Sequence, residues 1–412
     1  MRTHVKRHFP LLAAFLIAAL PCRAQWSGSA SDRIRTLQTY CGDDWQNGPF
    51  ITLGSDDAIR FSFDEMSHDY HRFTYRITHC DAYWNESDLT ESQYLDGFND
   101  LPVDEWENSM NTTFNYTHYT LTIPNDDVSL KLSGNYRLSV MEDDSEVAFF
   151  RFCVVEPKVS ISAGVTDNTD IDTRGHHQQV ELQLGYSGLG VRDPGREIIT
   201  VIMQNRRTDN AVTGPVPSHQ TLSVQDFSHC RQLVFPAGNE FRRFELTDMY
   251  ENFQNVDRVT FHDPYYHATL IPENRHHAYN YDNDHNGRYV VRSSRFDDSN
   301  TQADYVFVHF FLNSTQLQGG RLFIYGDFSG GSLSPEWEME YNSREGRYET
   351  VLLLKQGSYD YQYLWVPDGE TAGQTRPTEG DWYETGNEYL TLVYFRQRGS
   401  RYDRLVGIST CR

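Results

Sequence analysis

Positive charge is scarce in this 412-residue chain: 36 lysines and arginines stand against 58 aspartates and glutamates, a formal charge of −22. Residues 1–24 hold four basic residues (Arg2, Lys6, Arg7, Arg23) and no acid, so the chain without them carries −26. That balance excludes a nucleic-acid binder, because a phosphate backbone rewards basic surfaces. It also argues against electrostatic docking on an anionic membrane. Long apolar runs are missing beyond residue 24. The longest, 198–203 and 305–312, are strand-length, too short for a membrane-crossing helix. Paired cysteines are missing as well. Cys41, Cys80, Cys153, Cys230 and Cys411 are an odd set, widely spaced and without a CxxC. They make neither a zinc site nor a disulfide framework; Cys80 and Cys153 fall in strand-like runs and read as small core residues. Helical periodicity sustained over three turns is absent, and so is any Ser/His/Asp or Cys/His arrangement that stands out.

Aromatic side chains are abundant: 26 Tyr, 24 Phe and 7 Trp. Disordered chains are poor in them, and they supply a core that 38% hydrophobic content alone would leave thin. The N-terminus has the order of a secretory signal: basic Arg2, Lys6 and Arg7, an apolar run over 11–20, then Cys22-Arg23-Ala24 with small residues at −3 and −1. Cleavage is expected after Ala24. Pro21 ahead of Cys22 argues against lipidation there, because a lipidated cysteine normally follows a small residue.

From residue 34 onward the chain is a series of short runs with period two, such as 58–63, 73–79, 116–123, 136–140 and 148–155. They are rich in β-branched and aromatic residues and broken by Asp, Asn, Gly and Ser clusters. This predicts an all-β chain of three tandem immunoglobulin-like antiparallel β-sandwich domains, at 25–156, 157–295 and 296–412. An outer-membrane barrel is the structural rival. Its strands need about ten residues and an uninterrupted apolar face, whereas these runs are shorter and charged on both faces.

Few motifs carry chemistry. Asp282-Asn-Asp-His-Asn-Gly287 resembles the first half of a calcium loop, but Ser293 stands where an EF-hand needs its bidentate Glu. The neighbours His176-His177 and His276-His277 point to opposite faces of a strand and chelate poorly. Asp64-Glu65, Asp143-Asp144 and Asp297-Asp298 are acid pairs that 58 acidic residues make unavoidable. Gly326-Asp-Phe-Ser-Gly-Gly331 is neither a P-loop nor a nucleophile elbow. The third run has the cadence of a glycogen-binding type of carbohydrate module, which would use Trp337, Trp365 and Trp382 as a stacking platform. Aromatics in short alternating strands more often face the core. No cofactor, metal or enzymatic activity is expected. The longest insert of the first run, 79–100, mixes Tyr83, Trp84, Tyr94 and Phe98 with six acids. A loop of that length is a partner-binding surface, or packs down on its own side chains with Trp84 and Phe98 turned inward.

Several stretches resemble the plug protein family of the Bacteroidetes type IX secretion system. They are Phe61-Ser-Phe-Asp64, His79-Cys-Asp-x-x-Trp84, Tyr94-Leu-Asp-Gly-Phe-Asn99, Asn115-Tyr-Thr-His-Tyr119, Pro124-Asn-Asp126 and Leu132-Ser-Gly-Asn-Tyr136. Later come Leu353-Leu-Lys-Gln-Gly-x-Tyr-x-Tyr361 and Glu379-Gly-Asp-Trp-Tyr-Glu384. The resemblance runs from about Leu37 to Arg396. It implies a non-enzymatic periplasmic protein that occludes the periplasmic end of a large outer-membrane translocon barrel, its expected partner. It brings no catalytic residues.

Overall fold

Strand Ile59–Glu65 shows the logic of the fold. Ile59, Phe61 and Phe63 alternate into an apolar core, as period two demands. Yet Ser62 and Asp64, on the opposite face, are buried too. A strand buried on both faces needs a second layer over its polar side, and the rest of the chain provides it.

The computed structural model describes residues 25–251 and 253–412. The expected signal segment, its cleavage point and Cys22 lie outside the described residues. The described residues are nearly all β, and their ladders are antiparallel apart from three short parallel pairings. Two sheets make the first sandwich. One is built around Phe73–Cys80, Gly134–Glu142 and Ser145–Val155, the other around Ile34–Cys41, Ile59–Glu65 and Thr117–Ile123. Phe61, Phe63, Ile77, Tyr119, Leu138, Phe150 and Phe152 fill the space between them.

The expected junction at 295/296 is not where the sheets part. Arg242–Leu246, Val256–His262 and Tyr265–Leu270 join the ten-stranded sheet that contains Tyr305–Asn313, Arg347–Lys355 and Gly357–Pro367. Tyr389–Phe395 returns to pair with Ile198–Gln204, and Arg404–Cys411 pairs with Tyr389–Phe395. The second unit is therefore interrupted by the third, not followed by it. Its core draws on both parts of the chain, from Val180, Leu182 and Phe235 to Tyr389, Val393 and Val406. Strands of the same texture carry no mark of which partner they will choose, so the linear division could not show this.

Two seams attach the first sandwich to the rest. The first is apolar: Ala82, Cys153 and Val155 pack with Val201, Met203, Leu390, Leu392, Tyr394 and Leu405. The second is polar. Asp64, fully buried, accepts from Lys355 Nζ at 2.6 Å and from the Tyr305 hydroxyl at 2.7 Å, and its other oxygen meets His118 Nδ1 at 2.6 Å. Lys355, 1% exposed, also donates to the Asn300 carbonyl at 2.6 Å and lies 4.1 Å from the Tyr116 ring centroid. Burial pushes the Asp64 carboxyl up, but the Lys355 ammonium and His118 outweigh it and hold it below the usual carboxylate range. The same burial pulls the Lys355 ammonium down against the attraction of Asp64. All five cysteines in the described residues are free thiols, three of them buried. No helix there is long and apolar enough to cross a membrane.

Removing one partner of a buried ion pair leaves an uncompensated charge, a loss of about 3–5 kcal/mol. Asp64→Ala should therefore destabilise the chain by about that much in denaturant unfolding, whereas Asp64→Leu combined with Lys355→Met should recover most of it. A double variant as unstable as the single one would show that the pair is not what holds this seam.

Candidate docking site

The insert 79–100 begins where strand Phe73–Cys80 ends. Asp81 Oδ1 accepts from the backbone of Tyr83 and of Asn85, both at 2.9 Å, and closes a tight turn in which Trp84 takes φ +67°. A single helical turn, Glu91–Tyr94, follows, with Thr90 and Gln93 forming a reciprocal capping box. Strand Leu95–Gly97 then pairs with Val128–Leu130. Gly97 sits at φ +122°, and a Cβ there would meet the Asp127 carbonyl at 2.1 Å, so only glycine fits. Asn99 imitates a strand neighbour: its side-chain oxygen accepts from Ile77 N at 2.7 Å and its amide donates to Ile77 O at 3.1 Å.

The four aromatics divide two and two. Tyr94 is buried, its hydroxyl donating to Ile77 O at 3.2 Å and its ring beside His79 and Tyr136; burial pushes its phenol up to about 12. Trp84 is half-buried in the apolar seam, 5.9 Å from the Trp26 ring, with the Arg151 guanidinium 4.8 Å above it. Tyr83 and Phe98 instead face solvent, 57% and 76% exposed. The insert is thus pinned from within, and it presents two rings outward.

It is also pinned from the C-terminal side. Ala82 N donates to Asp403 Oδ2 at 2.9 Å, and Arg396 holds Asp403 through two bonds. Arg401 donates to the Asp88 carbonyl and to Gln93 Oε1. Asn135, a residue that spacing alone did not single out as functional, sits at the centre of this seam. It donates to the Asp81 carbonyl at 2.9 Å and accepts from the Tyr394 hydroxyl at 2.8 Å. Its neighbour Gly134 lies at φ +145°, where a Cβ would meet His79 Nε2 at 2.4 Å.

The other sequence candidates are committed elsewhere. Trp337 packs on Phe328, and Trp365 lies against the core of the large sheet. Trp382 meets His176 edge-on at 6.3 Å. No ring contact joins any two of these three tryptophans among the described residues, and all three are half-buried. Asp282–Gly287 is tied down as a turn: Asp284 accepts from the backbone of Phe241 and Asn286, and burial pushes its carboxyl up to about 7. Asp143-Asp144 is a turn with φ +50° and +67°. Asp298 caps the short helix Ser299–Gln302. His177 is held by Asp172 and His276 by Glu379.

Residues 34–156 match the family model described as the type 9 secretion system plug protein 1st domain. The chain's first domain belongs to the type IX secretion system plug family. A crystal structure of a hypothetical protein from Parabacteroides merdae ATCC 43184 is similar along its length: 40% identity, TM-score 0.92, with 94% of this chain and 98% of that one covered. No curated protein matches. The family is a secretion-system plug family, not an enzyme family. The matched residues land on the seams. Asp64 and His118 form the polar lock with Lys355 of the later chain, while His79, Asp81 and Asn135 line the insert.

His79 gives this plug-family seam a pH signature. Burial pushes its imidazole down to about 4, below the value near 6.5 of an exposed ring. The neutral ring's contribution is complete above pH ~6.5 and is lost as pH falls toward ~4, because only the unfolded chain takes up the proton in that window. The loss amounts to about 3 kcal/mol. Urea unfolding at pH 7 and pH 4.5 should show that decline, with a shallower one in His79→Gln. Equal slopes for the two proteins would remove His79 from this role.

Proposed function

We propose that the chain is a non-enzymatic plug that works in the periplasm and closes the periplasmic end of the type IX outer-membrane translocon barrel. One observation carries this reading: the stretches shared with the plug family are spent on joining the first sandwich to the rest of the chain through a buried lock and an apolar seam. A stopper for a wide channel must hold its shape as a single body, and a sandwich free to swing on a linker would leak. Family membership supports association with secretion-system components. The −26 charge suits a body that stays in water and does not enter the bilayer.

Within the insert, Tyr83 and Phe98 are the side chains free to meet the barrel. Tyrosine is a typical interface anchor, and truncating a hot-spot side chain costs about 2 kcal/mol or more, roughly thirtyfold in affinity. The test is affinity purification from the native outer membrane. The wild-type chain should bring the barrel with it. Tyr83→Ser with Phe98→Ser should bring much less and melt unchanged, whereas Trp84→Ala and Tyr94→Ala should lower the melting temperature. Absence of the barrel from the wild-type eluate would refute the plug reading. Undiminished recovery with the double variant would move the contact away from this insert.

A further inference from the structure

Strands Val256–His262, Tyr265–Leu270 and Tyr305–Asn313 lie side by side at one end of the ten-stranded sheet, with Val256–His262 its outermost member. Their register decides which residues share a face. His262 stands opposite Tyr265, which is two residues before His267; His267 stands opposite Phe307, which is two residues before His309. Directly opposite residues project to the same side, and so do residues two apart. Three imidazoles therefore occupy diagonal positions on three adjacent strands. They lie on the outer face, because Ala268, Leu270, Val306, Val308 and Phe310 take the inner one.

The rings are close. His267 Nδ1 is 3.0 Å from His309 Nε2, and ring centroids are 5.3 Å apart for that pair and 5.1 Å apart for His262 and His267. Two imidazoles bound tetrahedrally to zinc through nitrogens about 2.1 Å from the ion have nitrogens about 3.4 Å apart and centroids about 5 Å apart. The separations already present are close to that bite. Phe307 stacks under His267 at 5.0 Å and steadies its ring. Burial, then the neighbouring imidazoles, push His267 and His309 below the ordinary value. Their 3.0 Å contact is a hydrogen bond, so one facing nitrogen carries its proton; a tautomeric shift of that proton to the far nitrogen of the same ring frees both facing lone pairs for an ion. Arg258, on the same face opposite Thr269, opposes a cation, but its side chain is 66% exposed and its charge is paired with Asp257 at 3.7 Å.

We propose that His267 and His309, with His262 swinging in as third ligand, form a site for one late first-row divalent ion, Zn²⁺ or Cu²⁺, with water completing the shell. In the present rotamers no three ligands converge among the described residues, so the pair is the preset part and His262 closes the site by side-chain rotation. The ion would staple the outermost hairpin to the strand beside it, at the edge where a sheet is most exposed to unwanted pairing. The site is independent of the docking insert.

The test uses the full chain without a histidine tag, stripped by chelator. Titration with ZnCl₂ should show one saturable equivalent and a raised melting temperature. Binding should fade as pH drops below about 6, where imidazoles protonate. His267→Ala with His309→Ala should lose that equivalent, His262→Gln should weaken it at least tenfold, and His176→Ala should leave it intact. No saturable equivalent in the wild type, or its retention in a folded double variant, would overturn the site. Should the double variant not fold, the electron paramagnetic resonance spectrum of the wild-type chain with one equivalent of CuCl₂ decides: two or three coupled nitrogens support the site, and fewer overturn it.

Discussion

The contact between Asp64 and Lys355 ties together parts of the chain 291 residues apart, at 2.6 Å and out of reach of water. A buried charge pair in isolation is a poor source of stability, because desolvation takes back most of the attraction. This one is not isolated. Tyr305 and His118 take the remaining capacity of the carboxylate, and the Asn300 carbonyl and Tyr116 ring satisfy the ammonium. Such a network has one arrangement in which every member is satisfied, and sliding the sandwich by a residue would leave charges unpaired. Its product is less stability than position. Tyr116 adds to it, donating to the Ala303 carbonyl at 2.7 Å, as does Asp304, which accepts from the Thr113 backbone at 2.8 Å.

The apolar seam works differently. Val201, Met203, Leu390, Leu392 and Leu405 cover Cys153 and Val155 without specifying a register, since apolar contact is non-directional. Asn135 supplies the direction there by bonding to Tyr394 across the seam and to Asp81 in the insert. The insert is consequently part of the joint as well as a surface. Its inward half, Trp84 and Tyr94, is structural, whereas the rings of Tyr83 and Phe98 face solvent.

Much of this was legible in the sequence, and the limits follow from physics. The β texture was plain, because period two is a local property of a half-buried strand. The stretches around Asp64, His79, His118 and Lys355 stood out through family resemblance, although nothing in their spacing showed that they meet. Packing-down of the insert predicts Trp84 and Phe98 inward together; Trp84 does turn inward and Phe98 does not, since exposure depends on what packs above. The departure of the chain at 242 and its return at 389 were invisible, because pairing is chosen by strands far apart in sequence. The same reason hid the histidines. The conspicuous neighbours, 176–177 and 276–277, are held by Asp172 and Glu379, whereas 262, 267 and 309 are single residues brought together only by register.

The proposed occlusion of a wide channel is read most directly as current. The decisive measurement is the conductance of the purified translocon barrel in a planar bilayer, with this chain added from the periplasmic side. The wide-channel conductance should fall to near baseline on binding and return when the chain is removed. Full conductance with the chain demonstrably bound would contradict it.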